Sequence, residues 1–478
     1  MKKMTKKEVV EKSIFYVLMA AMLAVGAYFI VHNAMWLVGD DAACIRHTGW
    51  GNYYSLSDYI IPETGRFYPL AFMQYDVLPL LGLSSISAHF CLHALVMVMM
   101  VILTCMICRL SMSSKNISIW DYVSLLSIGA ICMTRPYRYF LTTEWSIWID
   151  YFSIVLWVFC TYFVHERQSV IAAIGGFLAI TYFSYCLEVN STIPFAYGMV
   201  GVLMWKKSAR LEKVYYMSMI ATAIIYFILY YILVYAHLGD NIYDASHGEH
   251  LPIWLVAFKM IFAQKIAWLA IVILCVKAWR IYKRKESIEW WDNLIIAGFA
   301  YFGGCIIMSL HHTLYYWTAV LCMLPAVLYY LHKWIGDKWT MVIMLALVLI
   351  MCRRFPQIVK ENQSDRLKSI ELRKVFVDQI QQGKDIYYFS PITEDQDNNE
   401  YEWRNQKQDC LPAYIGDAIN NHQYAFTTIT EFGNLPGIYI LPCENEKLVP
   451  GKNDAIIEAG KVVFKGGYGN LTLVEILQ

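Results

Sequence analysis

Two adjacent carboxylates, Asp40 and Asp41, follow an apolar run that extends from Ser13 to Val38. Charges at the edge of such a run cost free energy unless they are solvated or used. Neighbouring residues on a helix diverge by about 100°, so one of the pair can face a cavity while the other faces water or a partner. A solvated helix end, or an N-cap for the segment that follows, accounts for the same two residues. Downstream, Thr134-Arg135-Pro136-Tyr137-Arg138-Tyr139 and then Glu144-Trp145 set two guanidinium groups and a carboxylate among aromatic rings. Arginine's planar fork suits phosphate oxygens, and arginines that snorkel to an interface would read the same way. Glu188 and Asn190 stand at the end of another apolar run, where a lone carboxylate is a functional candidate. His311 and His312 begin a further run, with Tyr315 close behind. A histidine pair can ligate metal, but no third ligand sits at helical spacing, so no metal site is assigned. His237, His247 and His250, with Asp240, Asp244 and Glu249, read as a solvated loop.

Composition names the elements that must hold these residues. Of 478 residues, 58% are hydrophobic and 16% charged. Soluble domains run near 25% charged, so an ordinary soluble core is excluded. Aromatic residues reach 15%, which suits the belts at membrane interfaces. The net charge of +1 gives no case for a nucleic-acid partner. A helix needs about 20 apolar residues to cross a bilayer. Eleven transmembrane helices are expected, near 13–36, 88–109, 119–135, 145–164, 169–187, 191–205, 214–236, 254–279, 292–310, 314–331 and 339–352. The first is too long for a signal-peptide core and reads as a retained span. Most cysteines, including Cys91, Cys105, Cys108, Cys275 and Cys322, fall in these runs and read as small apolar fillers. The C-x-x-C of Cys105 and Cys108 is read as packing.

Basic residues orient the spans. With the N-terminus in the cytoplasm, the cytoplasmic segments hold every long basic cluster, from Lys2, Lys3, Lys6 and Lys7 to Lys283, Arg284 and Lys285. The opposite loops hold Arg46, Arg66, Arg135, Arg138, Lys259 and Lys265. An odd number of spans then puts the C-terminal tail outside. Asp40, Asp41, Asp58, Glu63, Asp76, Glu144 and Glu188 also gather at the outer face. Carboxylates do not set topology, so their grouping is a separate sign that polar chemistry belongs there. The division is a membrane domain over 1–352, with a first outer loop at 37–87, and a small α/β extracytoplasmic domain over 353–478. In the tail, Lys360–Gln382 reads as an amphipathic helix. Asp385–Phe389, Gly437–Leu441, Lys461–Phe464 and Leu471–Ile476 read as strands. Lys465–Asn470 is a turn cluster, weak as a phosphate loop. Cys410 and Cys443 could pair in an oxidising compartment.

The order of these features resembles the GT-C superfamily of integral membrane glycosyltransferases, which take sugars from polyprenyl-phosphate donors. Asp40-Asp41 is similar to the acidic motif that follows their first span. Gly65-Arg66-Phe67 with Pro69 is similar to a Gly-Arg pattern in the same loop of bacterial branches, including those related to serotype-converting glucosyltransferases. Leu187-Glu188-Val189-Asn190 is similar to a Glu–Asn element in some of them. The resemblance covers roughly residues 13–352, and the tail matches no known pattern. It implies a single inverting displacement with Asp41 or Asp40 as general base toward the acceptor hydroxyl. A partly dry cavity would help by raising the carboxylate's pKa. It also implies basic groups for the leaving phosphate, with Arg66, Arg135, Arg138, His311 and His312 as the candidates. Late GT-C spans often begin with a basic residue and a tyrosine; here His311 and His312 stand where arginine is more usual, before Tyr315 and Tyr316. Glu144, Glu188, Asn190 and Tyr315 complete the expected substrate-binding set. The implied partners are a polyprenyl-phosphate-linked sugar, a glycan acceptor and the bilayer. No cofactor is required, and participation by a divalent metal stays open.

Two other readings fit a polytopic chain. A flippase for lipid-linked oligosaccharide would carry charges near mid-bilayer and broken central helices, whereas polar groups here gather at one face. A polysaccharide polymerase or ligase would carry its arginines in a large late loop, and the loop at 311–314 is short.

Overall fold

A backbone surrounded by hydrocarbon must satisfy its own N–H and C=O groups, and a helix does so within one segment. The computed structural model describes residues 6–33, 60–62, 65–71, 73–82, 86–112, 117–134, 140, 147–237, 252–308, 310, 313–390, 411–412, 415–416, 418–419, 421, 424–442, 452–466 and 471–477. Every expected apolar run carries helix. In chain order these are α1 (Lys6–Asn33), α2 (Met73–Leu80), α3 (Ile86–Ser111), α4 (Ile119–Thr134), α5 (Ile147–Arg167), α6 (Val170–Ser184), α7 (Thr192–Leu203), α8 (Arg210–Leu233), α9 (Ile253–Ala263), α10 (Lys265–Arg284), α11 (Trp290–Ile307) and α12 (Thr313–Cys352). The chain is a polytopic α-helical membrane protein.

Not every expected run is a full-length straight helix. Among the described residues, six helices are long and apolar enough to cross a membrane, or seven if one bent pair forms a single span. Helices α4, α6 and α7 have only 16, 15 and 12 residues. The run expected as one span at 254–279 is α9 and α10, bent by 97°. The break falls at Gln264, whose backbone is extended and whose side chain is buried. Lys265 turns its amine back onto the Phe262 carbonyl at 2.9 Å. Helix α12 holds two of the expected runs in 40 residues, divided at Gly336. Helix α2 lies within the expected first outer loop, 37–87.

Helices pack both on chain neighbours and on distant ones. Helix α5 packs on α6 and α3, α7 on α8, and α12 on α11 and α4. Cys105 and Cys108 are buried in this core, and the Cys105 thiol faces the Leu125 carbonyl at 3.6 Å, so their expected packing role holds. One end of the bundle is rich in ion pairs. Lys277, buried to 2%, reaches Glu289 at 3.0 Å and Asp292 at 3.7 Å, while Lys333 meets Glu289 at 2.8 Å. Tyr329 and Tyr330 donate to Glu289 and Asp292.

The tail forms the expected small α/β unit. A helix (α13, Phe355–Gln381) leads into a five-stranded sheet. After the short strands β1 (Ile60–Ile61) and β2 (Arg66–Phe67) of the first loop, the strands of this sheet are β3 (Ile386–Phe389), β4 (Thr427–Ile429), β5 (Gly437–Pro442), β6 (Lys461–Gly466) and β7 (Leu471–Ile476), ordered β4-β3-β5-β7-β6. Strand β3 is parallel to both neighbours, and β7 is antiparallel to both of its own. Alternation gives the sheet two apolar faces: Tyr388, Ile438 and Leu473 cluster with Leu372 and Phe376 of α13, and Tyr439, Leu441 and Val474 cluster with Ile456. Ile456 belongs to a short helix, Lys452–Ala459, which with β4 was not expected from the sequence.

Helices in lipid approach most closely where a small residue faces the partner. A Cβ added at Gly198 would lie 2.6 Å from Ile220 Cγ1 and 2.8 Å from the Tyr216 carbonyl oxygen, which cannot swing away. We expect Gly198→Ala to destabilise the protein by about 1–3 kcal/mol, the usual scale of overpacking. Gly303→Ala meets nothing within 4 Å and should leave stability unchanged or slightly improved. Thermal unfolding of both variants in detergent compares them; equal midpoints would show that α7 and α8 do not pack this closely.

Candidate functional site

The first loop is tied to the bundle at Gly65-Arg66-Phe67. Ile60–Ile61 pairs antiparallel with Arg66–Phe67, and Gly65 closes the turn onto the Pro62 carbonyl at 3.1 Å. Gly65 has φ +76°, which a glycine adopts without strain. That turn presents Arg66 to Glu188. Arg66 Nε donates to Glu188 Oε1 at 2.8 Å, and the backbone N–H of Phe67 donates to the same oxygen at 3.1 Å. The Arg66 guanidinium also lies over the Tyr68 ring, 4.5 Å from its centroid.

Glu188 can do this because α6 ends at Ser184 and the chain makes a buried three-ten turn, Glu188–Ser191, before α7. The same helix ends hold the rest of the loop. Tyr226 and Tyr230, near the end of α8, donate to the carbonyls of Phe67 and Gly65 at 2.9 and 3.2 Å. Phe67 is buried against the edges of Tyr185, Tyr226 and Tyr230. Leu70 N–H donates to the Tyr185 carbonyl at 3.1 Å.

Asn190 faces the other way from Glu188. Its amide donates to the Phe183 carbonyl at 2.7 Å and to Asp150 Oδ2 at 3.2 Å. The turn therefore joins two carboxylates: Glu188 toward the first loop and Asp150 inside the bundle. Asp150 was not singled out from sequence. The signal was there, since a carboxylate three residues into the apolar run Ile147-Trp148-Ile149 is costly unless used. Tyr301 lies within electrostatic reach of both Asp150 and Tyr315, so Tyr315, itself buried, belongs to the same neighbourhood.

A buried imidazole pair borders it. His89 and His93 are four apart on α3, hence on one face, and both are 1% exposed. His93 Nδ1 lies 3.3 Å from the Phe140 carbonyl, and its ring sits 4.4 Å from that of Trp148. The His89 ring is 5.6 Å from that of Tyr75 in α2. These histidines were also missed; two polar residues in a strongly apolar helix were the available signal.

Of the expected site residues, the structure thus brings Arg66 and Glu188 into direct contact and turns Asn190 toward Asp150, while Tyr315 is buried in α12. Asp40, Asp41, Arg135, Arg138, Glu144, His311 and His312 lie outside the described residues, as do Cys410 and Cys443. Among the described residues, no trio of metal-type ligands converges here; the one such trio is at the other end of the bundle. The arrangement fixes a guanidinium and a buried carboxylate at one end of the helices, under a loop held by backbone hydrogen bonds.

Glu188 is nearly buried and Arg66 is 22% exposed, so removing either partner leaves a poorly solvated charge. We expect Arg66→Ala and Glu188→Ala each to destabilise the protein. The double variant should fall short of their sum by about 1–3 kcal/mol, the scale of directly coupled pairs. Chemical unfolding in detergent of all four proteins measures the coupling, and simple additivity would show that the pair does not anchor the loop.

No family model matches the chain, and no curated protein sequence matches it. The likeness is in the fold. ArnT from Cupriavidus metallidurans bound to undecaprenyl phosphate superposes with a TM-score of 0.51 at 13% sequence identity. The match covers 97% of this chain and 98% of that chain. It therefore takes in the helical bundle and the C-terminal sheet unit together, and the chain has the fold of ArnT.

Proposed function

We propose that this protein is a membrane glycosyltransferase that moves a sugar from a polyprenyl-phosphate carrier to a glycan acceptor at the outer face of the membrane. The observation that carries the proposal is the full-length fold likeness to a protein bound to undecaprenyl phosphate. The docked first loop supports it, because the expected acidic motif belongs to that loop.

The reaction is one displacement at the anomeric carbon. The acceptor hydroxyl oxygen forms the new bond as the bond to the carrier phosphate oxygen breaks. Asp41 or Asp40 takes the hydroxyl proton. The polyprenyl phosphate leaves with its negative charge met by Arg135, Arg138, His311 and His312. The charge of Arg66 is already met by Glu188, so its part is to position the loop. The sugar inverts. In this reading the N-terminus is cytoplasmic, residues 1–352 form the catalytic membrane domain, and residues 353–478 form an extracytoplasmic domain.

Purified protein in detergent, supplied with radiolabelled polyprenyl-phosphate sugars and candidate glycan acceptors, tests this directly. Transfer by the wild type should fall by about 10²–10⁴ in whichever of Asp40→Asn and Asp41→Asn removes the base. Transfer by both variants at the wild-type rate would eliminate the base assignment, and absence of transfer from any lipid-linked sugar would eliminate the donor class.

A further inference from the structure

The end of the bundle away from the first loop holds a polar centre that glycosyl transfer does not use. Helix α4 begins there with Asp121, which is 1% exposed. Helix α12 passes it with His332 and Asp337. Five residues of a continuous α-helix turn through about 500°, which leaves side chains about 140° apart. His332 and Asp337 should therefore face different directions. They converge because Gly336, at φ +77°, breaks the helix between them.

Ligand atoms of Asp121, His332 and Asp337 all lie within 4.8 Å of one another. His332 Nε2 is 2.7 Å from Asp337 Oδ1 and 3.7 Å from Asp121 Oδ1. In spite of that approach, Nε2 is buried and lacks a hydrogen bond of acceptable geometry. The opposite oxygens are held from behind. The Ser118 hydroxyl lies 3.1 Å from Asp121 Oδ2 and 3.2 Å from Asp337 Oδ2, and its proton serves one of them at a time. The Ser118 backbone N–H adds a bond of 2.8 Å to Asp121 Oδ2. Each carboxylate thus brings its Oδ1 within 3.7 Å of the same imidazole nitrogen. Inner atoms that converge, with outer oxygens hydrogen-bonded, are how a protein orients ligands around a metal ion. Two carboxylates this close also repel unless a cation lies between them.

We infer that Asp121 Oδ1, His332 Nε2 and Asp337 Oδ1 bind one divalent transition-metal ion of the zinc class. The imidazole argues against magnesium or calcium, which take oxygen ligands, and the lack of sulfur argues against copper(I). Three protein ligands leave a fourth position for water, on the side where Asp337 is 34% exposed. The ion clamps the start of α4 to the break in α12. This site is independent of the transfer chemistry, and its loss would not touch the groups assigned to that reaction.

Full-length protein in detergent, stripped with EDTA, is titrated with Co²⁺ as a spectroscopic probe and then with Zn²⁺. The wild type should take up one equivalent of Co²⁺ with visible d–d absorption that Zn²⁺ displaces, and Zn²⁺ should raise its thermal midpoint by several degrees. His332→Ala and Asp337→Asn should lose both signals. Ser118→Ala, which leaves the three ligands in place, should weaken binding by about 10–100-fold. A wild type with neither signal overturns the site, as does a His332→Ala variant that keeps both. If His332→Ala does not purify in folded form, Ser118→Ala decides: wild-type affinity in that variant overturns the site as well.

Discussion

Hydrocarbon neither donates nor accepts hydrogen bonds, so a helix that breaks inside the bundle must find partners for the groups it releases. Three breaks in this chain are served in this way. After α6, the Asn190 side chain donates to the Phe183 carbonyl left by the helix end. At α12, the Thr340 hydroxyl donates to the Gly336 carbonyl at 2.9 Å. Between α9 and α10, the Gln264 N–H and the Lys265 amine take the carbonyls of Ile261 and Phe262. Each repair brings a polar or charged residue with it. Glu188 follows from the first break and Asp337 from the second. The polar centres of the molecule are consequences of where its helices stop.

The ion pairs at the two ends do different things. A buried pair gains little net stability, because desolvation offsets most of the attraction; its use is to fix geometry. At one end, Arg66 and Glu188 fix a loop to helix ends, with Tyr226 and Tyr230 presenting apolar rings to Phe67 and hydroxyls to its backbone. At the other, Lys277 and Lys333 hold Glu289 and Asp292 at the start of α11. Burial raises the pKa of Glu289, but hydrogen bonds from Lys333, Tyr329 and Lys277 outweigh it and leave the carboxyl below its ordinary range. This carboxylate stays charged, so the network keeps its form near neutral pH.

Local pattern made part of this legible. Apolar runs marked every helix of the membrane domain but α2, and strand patterns marked β3, β5, β6 and β7. Glu188 and Arg66 were each conspicuous, but 122 residues separate them, and no periodicity reports such a pairing. Asp150, His89 and His93 were hidden because each looks like one polar residue in an apolar helix, where mean hydropathy absorbs it. Asp121, His332 and Asp337 were hidden for a different reason. Helical spacing excludes a His–Asp pair five apart, and only the positive φ at Gly336 lifts that exclusion. Lys265 was visible as a charge in the run 254–279, but nothing local reports a bend, and the bent pair was read as one span. Strand β4 has three residues, mostly exposed, too few to alternate visibly.

The anchors of the first loop lie at the same end of the bundle as the end of α1. Helix α1 starts at the ion-rich end, where Phe15 meets Tyr122, and climbs past Met133 at Gly26 near the far end of α4. Its last described residue, Asn33, is therefore at the end where Gly65-Arg66-Phe67 is docked. In sequence, Asp40 and Asp41 follow Asn33 by seven and eight residues, so the described chain nearest to them on the N-terminal side is the helix end where Gly65-Arg66-Phe67 is docked. The ion-rich end is left to hold the helices together.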